Sequence, residues 1–283
     1  MHIVSTVAEL RQRLKKQKSV AFVATMGNLH AGHIHLVELA RQHGQCVVVS
    51  IFVNPLQFSA HEDLASYPRT LEVDLAKLKL AGADIVFTPN EREIYPVPQT
   101  LTVEPPAIAH ELCGASRPDH FRGVATVVLK LFNIVFFNTV QPNVAVFGKK
   151  DFQQLFIIRE LVRQLNLPIE IIAGETVREP DGLAMSSRNS YLDPLQRMEA
   201  QRLHRALQQV VKAIENGQLD FSALESQAVQ HLIQHGWIVD YISVRSSASL
   251  IPATLDDHDL VVLGAARQGQ TRLIDNLECC AAT

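Results

Sequence analysis

The chain has 283 residues, enough for one large or two modest domains. Hydrophobic residues make up 47% and charged residues 19%, which furnishes a full core and excludes an intrinsically disordered chain. Twenty-six Lys and Arg against 29 Asp and Glu leave a net charge of −3, so a general polyanion binder is excluded and phosphate chemistry must rest on local clusters of cations.

The longest apolar stretch, Val124 to Phe137, is broken by Thr126, Lys130 and Asn133, short of the roughly 18 apolar residues that mark a transmembrane helix. The basic series Arg11, Arg13, Lys15, Lys16 and Lys18 is the reverse of a signal peptide. Four cysteines (Cys46, Cys113, Cys279, Cys280) show no CxxC spacing. They read as reduced thiols of a cytoplasmic protein, with Cys279 and Cys280 as surface thiols on a loose C-terminus.

Ser19–Thr25 reads as a buried strand, followed by a glycine-containing loop and a helix over 33–42. Cys46–Val53 is the next strand. Leu71, Leu75, Leu78 and Leu80 place a helix over 70–80, ended by Gly82. Asp84–Thr88 is a strand, Gly123–Asn138 a largely buried helix, Val144–Phe147 a strand, Asp151–Gln164 a helix and Ile169–Ile172 a strand. Such alternation implies right-handed crossovers and a doubly wound parallel sheet covered on both faces. Ligands bind beyond the carboxyl ends of such strands, here the loops after Thr25, Val53 and Phe147. After Gly174 the texture changes to two helical segments (194–215 and 221–234) and three strands (237–244, 260–266, 271–275). This predicts an α/β domain over 1–175 and a smaller α+β domain over 176–283, with no internal repeats.

Four constellations carry chemistry. In Thr25-Met26-Gly27-Asn28-Leu29-His30-Ala31-Gly32-His33, two glycines allow close backbone approach and the following helix turns its positive end and free N–H groups to an anion. His30 and His33 can donate to phosphate there; a zinc pair and a tight turn with incidental histidines are the rival readings. Asn54-Pro55-Leu56-Gln57 sets two neutral amides at the sheet rim, or is simply a turn. Gly148-Lys149-Lys150-Asp151 with Gln154 either meets phosphate and substrate or forms a capping box from Asp151 to Gln154, and both can hold. Met185-Ser186-Ser187-Arg188 offers hydroxyls and a guanidinium as a phosphate clamp, or is a surface loop.

These residues resemble the HIGH and KMSKS elements of the nucleotidyltransferase superfamily. More narrowly, TMGNLHAGH, VVVSIFVNPLQF, YPRT, GADIVFTP, RPDHFRGVATVVLKLFNIV, KDFQQL, TVREPDGLAMSSRNSYL and TRLIDN resemble the pantoate–β-alanine ligase family, in its order and over nearly the whole chain. The resemblance implies a Rossmann-like domain binding ATP and pantoate, with a C-terminal lid that keeps water from an acyl adenylate. It implies attack of pantoate on ATP to give pantoyl adenylate and pyrophosphate, then displacement of AMP by β-alanine. Mg²⁺ would travel on the ATP phosphates, with no metal site on the protein.

Carried over, His33 is the catalytic histidine, with His30, Lys150 and Arg188 completing the set that acts on the phosphates. Met26, Gly27, Asn28, Leu29, His30, Ala31, Gly32 and His33 would line the ATP site, with Gly148, Lys149, Lys150, Asp151, Val177, Met185, Ser186, Ser187 and Arg188. Gln57 and Gln154 would hold pantoate, Gln57 also lying near β-alanine, and Asn54, Tyr67, Arg117 and Val128 follow as substrate contacts. The family's Gly-Glu-Lys-Asp is Gly148-Lys149-Lys150-Asp151 here, with Lys149 expected to point away from phosphate. Phe136–Val140 reads as a short insertion close to the interface of an expected homodimer. The rivals are an adenylyl- or cytidylyltransferase with another acceptor and a non-catalytic nucleotide sensor. No basic stripe suggests nucleic acid, and no membrane partner is expected.

Overall fold

The computed structural model describes residues 1–59, 62–137 and 143–282. Six apolar runs pair in parallel: β1 (His2–Val4), β2 (Val20–Thr25), β3 (Cys46–Ile51), β4 (Ile85–Phe87), β5 (Asn143–Gly148) and β6 (Ile169–Gly174), in the spatial order β1-β4-β3-β2-β5-β6. The inner strands β2, β3 and β5 are almost continuously buried, as strands covered on both faces must be. From β2 the chain steps outward to β3 and β4, then returns to place β5 on the other flank of β2. That reversal puts a topological switch point between β2 and β5.

Alternation along β2 divides its side chains between two cores: Val20 and Phe22 enter one, Ala21 and Val23 the other. The first core takes Leu10 and Leu14 of α1 (Val7–Leu14), Val124 and Leu131 of α6 (His120–Phe136), and Leu155 and Ile158 of α7 (Phe152–Gln164). The second takes Val37 and Ala40 of α2 (Ala31–His43) and Leu78 of α3 (Leu71–Ala81). Two single-turn helices, α4 (Glu91–Ile94) and α5 (Cys113–Ser116), lie in the connection before α6. The doubly wound sheet is therefore as expected.

The chain divides into two compact units, Met1–Lys149 with Gln153–Glu175, and Lys150–Phe152 with Thr176–Thr283. In the second, α8 (Pro194–Glu199), α9 (Gln201–Glu215) and α10 (Phe221–Gln234) precede an antiparallel meander of β7 (Ile238–Ser246), β8 (Asp259–Gln268) and β9 (Thr271–Cys280). Leu203, Leu207, Val210 and Ile214 line one face of α9 and meet Leu232, Trp237 and Val262 in a separate core.

Several expectations change. Apolar period predicts no element before Ser19, yet β1 and α1 are formed, α1 starting from a Thr6–Glu9 capping box. The helix over 194–215 is two segments sharing Ala200. The last strand runs on to Cys280 because its pairing with β8 continues to Asp259↔Cys280. Cys279 is consequently buried and only Cys280 is a surface thiol, which corrects the loose-terminus reading. Of the expected insertion, Phe136 ends α6 and Phe137 is exposed beneath the Arg11 guanidinium, 4.8 Å from its ring centre; 138–140 lie outside the described residues.

Candidate active site

Three of the candidate loops leave the carboxyl ends of neighbouring strands β3, β2 and β5. After β2, Gly27 and Asn28 take successive left-handed conformations, φ +85° and +50°. Their turn is seated on a residue that sequence reasoning missed. Asp74 of α3, 1% exposed, accepts the N–H of Asn28 (2.9 Å) and of Leu29 (2.8 Å). Thr70 Oγ1 donates to the same carboxylate at 3.1 Å, and Lys77 Nζ donates to the Leu29 carbonyl at 2.5 Å. The available signal was an aspartate at position 74, between Leu71 and Leu75 on the apolar stripe of a helix.

Helix α2 starts at Ala31 rather than His33, because His30 is its N-cap. The Gly32 N–H donates to His30 Nδ1 at 3.1 Å, and the His30 N–H donates to His33 Nδ1 at 3.3 Å. A ring nitrogen that accepts an N–H carries no proton, so both neutral imidazoles hold theirs on Nε2. The rings stand 4.1 Å apart between centres. The His33 N–H is also spent, on the His30 carbonyl at 2.9 Å. Amides expected to wait for an anion are thus used internally.

After β3, the turn Pro55–Gln57 is closed by Asn54, 1% exposed. Asn54 Oδ1 accepts from Tyr95 Oη (2.7 Å) and the Leu56 N–H (3.3 Å), while Nδ2 donates to Gln57 Oε1 (3.0 Å) and the Gly123 carbonyl (3.2 Å). Asn54 thereby occupies the Gln57 oxygen and presents the Gln57 amide through its N–H₂ donors. Arg117 braces the same turn: it grips Glu62 at 2.5 and 2.8 Å, and its NH1 lies 3.0 Å from His120 Nε2. Arginine only donates, so His120 Nε2 accepts and Nδ1–H donates to the Gln57 carbonyl at 2.8 Å. Burial pushes the Glu62 carboxyl up, but the Arg117 hydrogen bond and charge outweigh it and hold the group low. Tyr67 is buried edge-on to Phe58, and Val128 packs in the core on α6.

After β5, Gly148 ends the strand and 149–151 form a single turn before α7. Lys149 Nζ pairs with Glu175 at 2.7 Å, a partner that the charge reversal makes available. Lys150 Nζ lies 3.9 Å from Asp151. The two adjacent glutamines divide their roles. Gln153, 3% exposed, bonds the Cys113 N–H and the Ile108 and Glu111 carbonyls, whereas Gln154 is half-buried.

In the second unit, an antiparallel bridge between Arg178 and Ala184 and a bond from the Met185 N–H to the Val177 carbonyl (3.0 Å) bring Val177 and Met185 side by side. Ser186 caps the turn Ser187–Tyr191, its Oγ accepting the Arg188 N–H at 3.3 Å, and Ser187 and Arg188 are half-buried in it. The hairpin is anchored by Asp275, 4% exposed, which takes both NH groups of Arg178 (2.7 and 2.9 Å) and faces His204 Nδ1 at 3.0 Å. Burial raises the Asp275 carboxyl, yet His204 and Arg178 together hold it below the ordinary aspartate range. Asn276 donates to the Lys150 carbonyl at 2.9 Å, so β9 also fixes the Lys150 backbone. Among the described residues one trio of possible metal ligands clusters, the exposed His258, Asp259 and Cys280 at the β8 and β9 ends, with neither His30 nor His33 among them.

Residues 2–278 match the family described as pantoate-beta-alanine ligase. A pantothenate synthetase of Methylobacillus flagellatus is 66% identical over 278 residues, 98% of each chain. That of Thiobacillus denitrificans is 58% identical over 283 residues, 100% of this chain and 98% of its own. Among solved structures, pantothenate synthetase from Thermus thermophilus is similar at a TM-score of 0.91 and 43% identity, over 98% of this chain and 99% of that one. Pantoate-beta-alanine ligase from Francisella tularensis, complexed with beta-gamma ATP and beta-alanine, is similar at 0.80 and 34% identity, over 98% and 97%.

Proposed function

The chain belongs to the pantoate-beta-alanine ligase family, and from that premise we propose how its residues carry out the reaction. The enzyme joins pantoate to β-alanine by an amide bond, giving pantothenate, and ATP is a substrate, in keeping with the Francisella complex. A pantoate carboxylate oxygen attacks the α-phosphorus, the bond to the bridging oxygen breaks, and pyrophosphate leaves. The β-alanine amine then attacks the acyl carbon of pantoyl adenylate; the bond from that carbon to the oxygen bridging it to phosphorus breaks, AMP departs with that oxygen, and the amine loses its proton to solvent.

The observation that carries this reading is the reciprocal imidazole cap. Backbone bonds fix His30 and His33 as Nε2–H donors at the amino end of α2, where negative charge developing on phosphate oxygens is stabilised without any proton being removed. His33 acts on the reacting phosphate and His30 beside it. Met26, Gly27, Asn28, Leu29, Ala31 and Gly32 supply the backbone wall, with Gly148 and Lys149. Lys150 neutralises phosphate and Asp151 orients Lys150 or binds ribose. Val177 and Met185 hold adenine, and Ser186, Ser187 and Arg188 the triphosphate. Gln57, through its N–H₂, and Gln154 hold pantoate, whose bound pose supplies much of the rate by orientation. Asn54 and Arg117 position Gln57, with Tyr67 and Val128 lining the acid site.

The donors around the β2 loop are imidazoles and amides, with the Asp74 carboxylate already spent on backbone N–H groups. That set suits Mg²⁺ carried by phosphate oxygens rather than a resident cation, and the ion supplies charge screening. A homodimer in the cytoplasm completes the proposal; no helix among the described residues is long and apolar enough to cross a membrane.

The test is isotope exchange between labelled pyrophosphate and ATP, with pantoate present and β-alanine absent. Exchange that requires pantoate and is lost in His33→Ala establishes the adenylate half-reaction. No exchange while ATP still binds removes the adenylate route.

A further inference from the structure

We propose that Asp74 is a positioning residue for the nucleotide, a buried carboxylate that sets the Gly27–Leu29 turn and through it the two histidines. The proposal rests on the ligase reading above and extends it to α3, which none of the site motifs includes. Glycine takes the left-handed conformation freely, but at Asn28 it falls on a residue with a Cβ. Such a turn persists only where its surroundings over-determine it. Here both N–H groups that the turn directs inward, those of Asn28 and Leu29, meet the two oxygens of one carboxylate, and charge-assisted bonds of this kind are about twice as strong as neutral ones.

The seat is close-fitting. A methyl group on Gly27 would stand 3.3 Å from Asp74 Oδ2 and 3.2 Å from Ile51 Cγ2. Lys77, one turn further along α3, takes the Leu29 carbonyl, so the same helix grips Leu29 by both its N–H and its C=O. The next residue is His30, the cap of α2, whose own N–H fixes His33. Any relaxation at Leu29 is passed directly to both imidazoles. A carboxylate with 1% exposure is expensive to bury unless its acceptors are filled, and three donations from one short loop and the start of its own helix fill them: two N–H groups and the Thr70 hydroxyl.

The test compares Asp74→Asn, Lys77→Met and Lys77→Arg in three readouts. In Asp74→Asn one backbone N–H faces an N–H₂ group instead of an oxygen. The KM for ATP in pantoate-dependent pyrophosphate exchange is then expected to rise about tenfold or more, with the KM for β-alanine in the full reaction within twofold. Amide hydrogen exchange at Asn28 and Leu29 accelerates over the same range. Lys77→Met shifts both readouts in the same direction and Lys77→Arg, which keeps a donor, restores most of the loss. A lowered melting temperature with an unchanged ATP KM and unchanged exchange at Asn28 and Leu29 overturns the proposal and leaves Asp74 a stability residue. Should Asp74→Asn not fold, the Lys77 pair decides: equal ATP KM values for Met and Arg overturn it. The third readout, direct binding of a non-hydrolysable ATP analogue, needs no turnover. If wild type shows no pantoate-dependent exchange, the ligase mechanism fails, while unchanged analogue affinity in Asp74→Asn is what sinks Asp74.

Discussion

Gln57 is the residue whose chemistry is most narrowly set by its neighbours. With its oxygen taken by Asn54, only its N–H₂ is left to address an acid. Gln57→Glu removes that donor and adds like charge to a carboxylate substrate, so the pantoate KM is expected to rise roughly ten- to hundredfold with the ATP KM little changed, as steady-state kinetics will show. Asp275 makes a second prediction. Because its folded pKa lies below the unfolded one, it contributes stability that is complete above the ordinary aspartate range and lost as pH falls through the folded value. Denaturant titrations should place Asp275→Asn about 3 kcal/mol below wild type at neutral pH, the gap closing only in strong acid. Many of the residues proposed to touch substrate lie in or beside short loops that carry their own sequence signal. Those that hold them were not legible: Asp74 is 46 positions from Asn28, and Asp275 is 97 from Arg178, and a lone sequence gives no sign of such pairings.

At the scale of elements, strands and long helices followed from apolar period, while their ends followed from caps that the sequence shows less clearly. Helix α2 starts two residues before the predicted His33 because its cap, His30, is outside the usual Ser, Thr, Asp and Asn capping set. Strand β1 has three residues with only Val4 buried, too little pattern to register. Helix α6 shows what a single missing side chain does. Its Gly123 lets the helix lie against the Pro55–Gln57 turn, where a methyl group would run into the Leu56 carbonyl, and its carbonyl receives Asn54. Alanine in a helix interior is favoured over glycine by about 1 kcal/mol. Forcing backbone apart costs more, so Gly123→Ala should be less stable by about 2 kcal/mol net and should also raise the pantoate KM. Unfolding curves and kinetics on one preparation check both.

Across the whole molecule, the strand–helix alternation was enough to give a doubly wound sheet, since parallel strands need crossovers and long apolar runs need cover on two faces. It did not reveal that Lys150–Phe152 group with the later residues, a matter of tertiary contact and not of local pattern. The thiols report on the fold as a unit. Burial pushes Cys46 up to about 12 and Cys279 up to about 11, Cys113 is buried, and Cys280 alone is exposed. An aromatic disulfide reagent at neutral pH should therefore consume one thiol per chain at once and the remaining three only after denaturant is added. Rapid reaction of two or more would mean that β9 is not paired to its end.

The imidazole cap of α2 has a consequence for how loss of function is to be interpreted. Alanine at position 30 unties the first turn of a helix and would also delete the proposed phosphate donor, two injuries that a single rate constant cannot separate. Asparagine caps helices well yet is a poor mimic of an imidazole reaching outward. The difference between His30→Ala and His30→Asn therefore measures the architectural share of this histidine, and whatever deficit asparagine leaves behind is its chemical share.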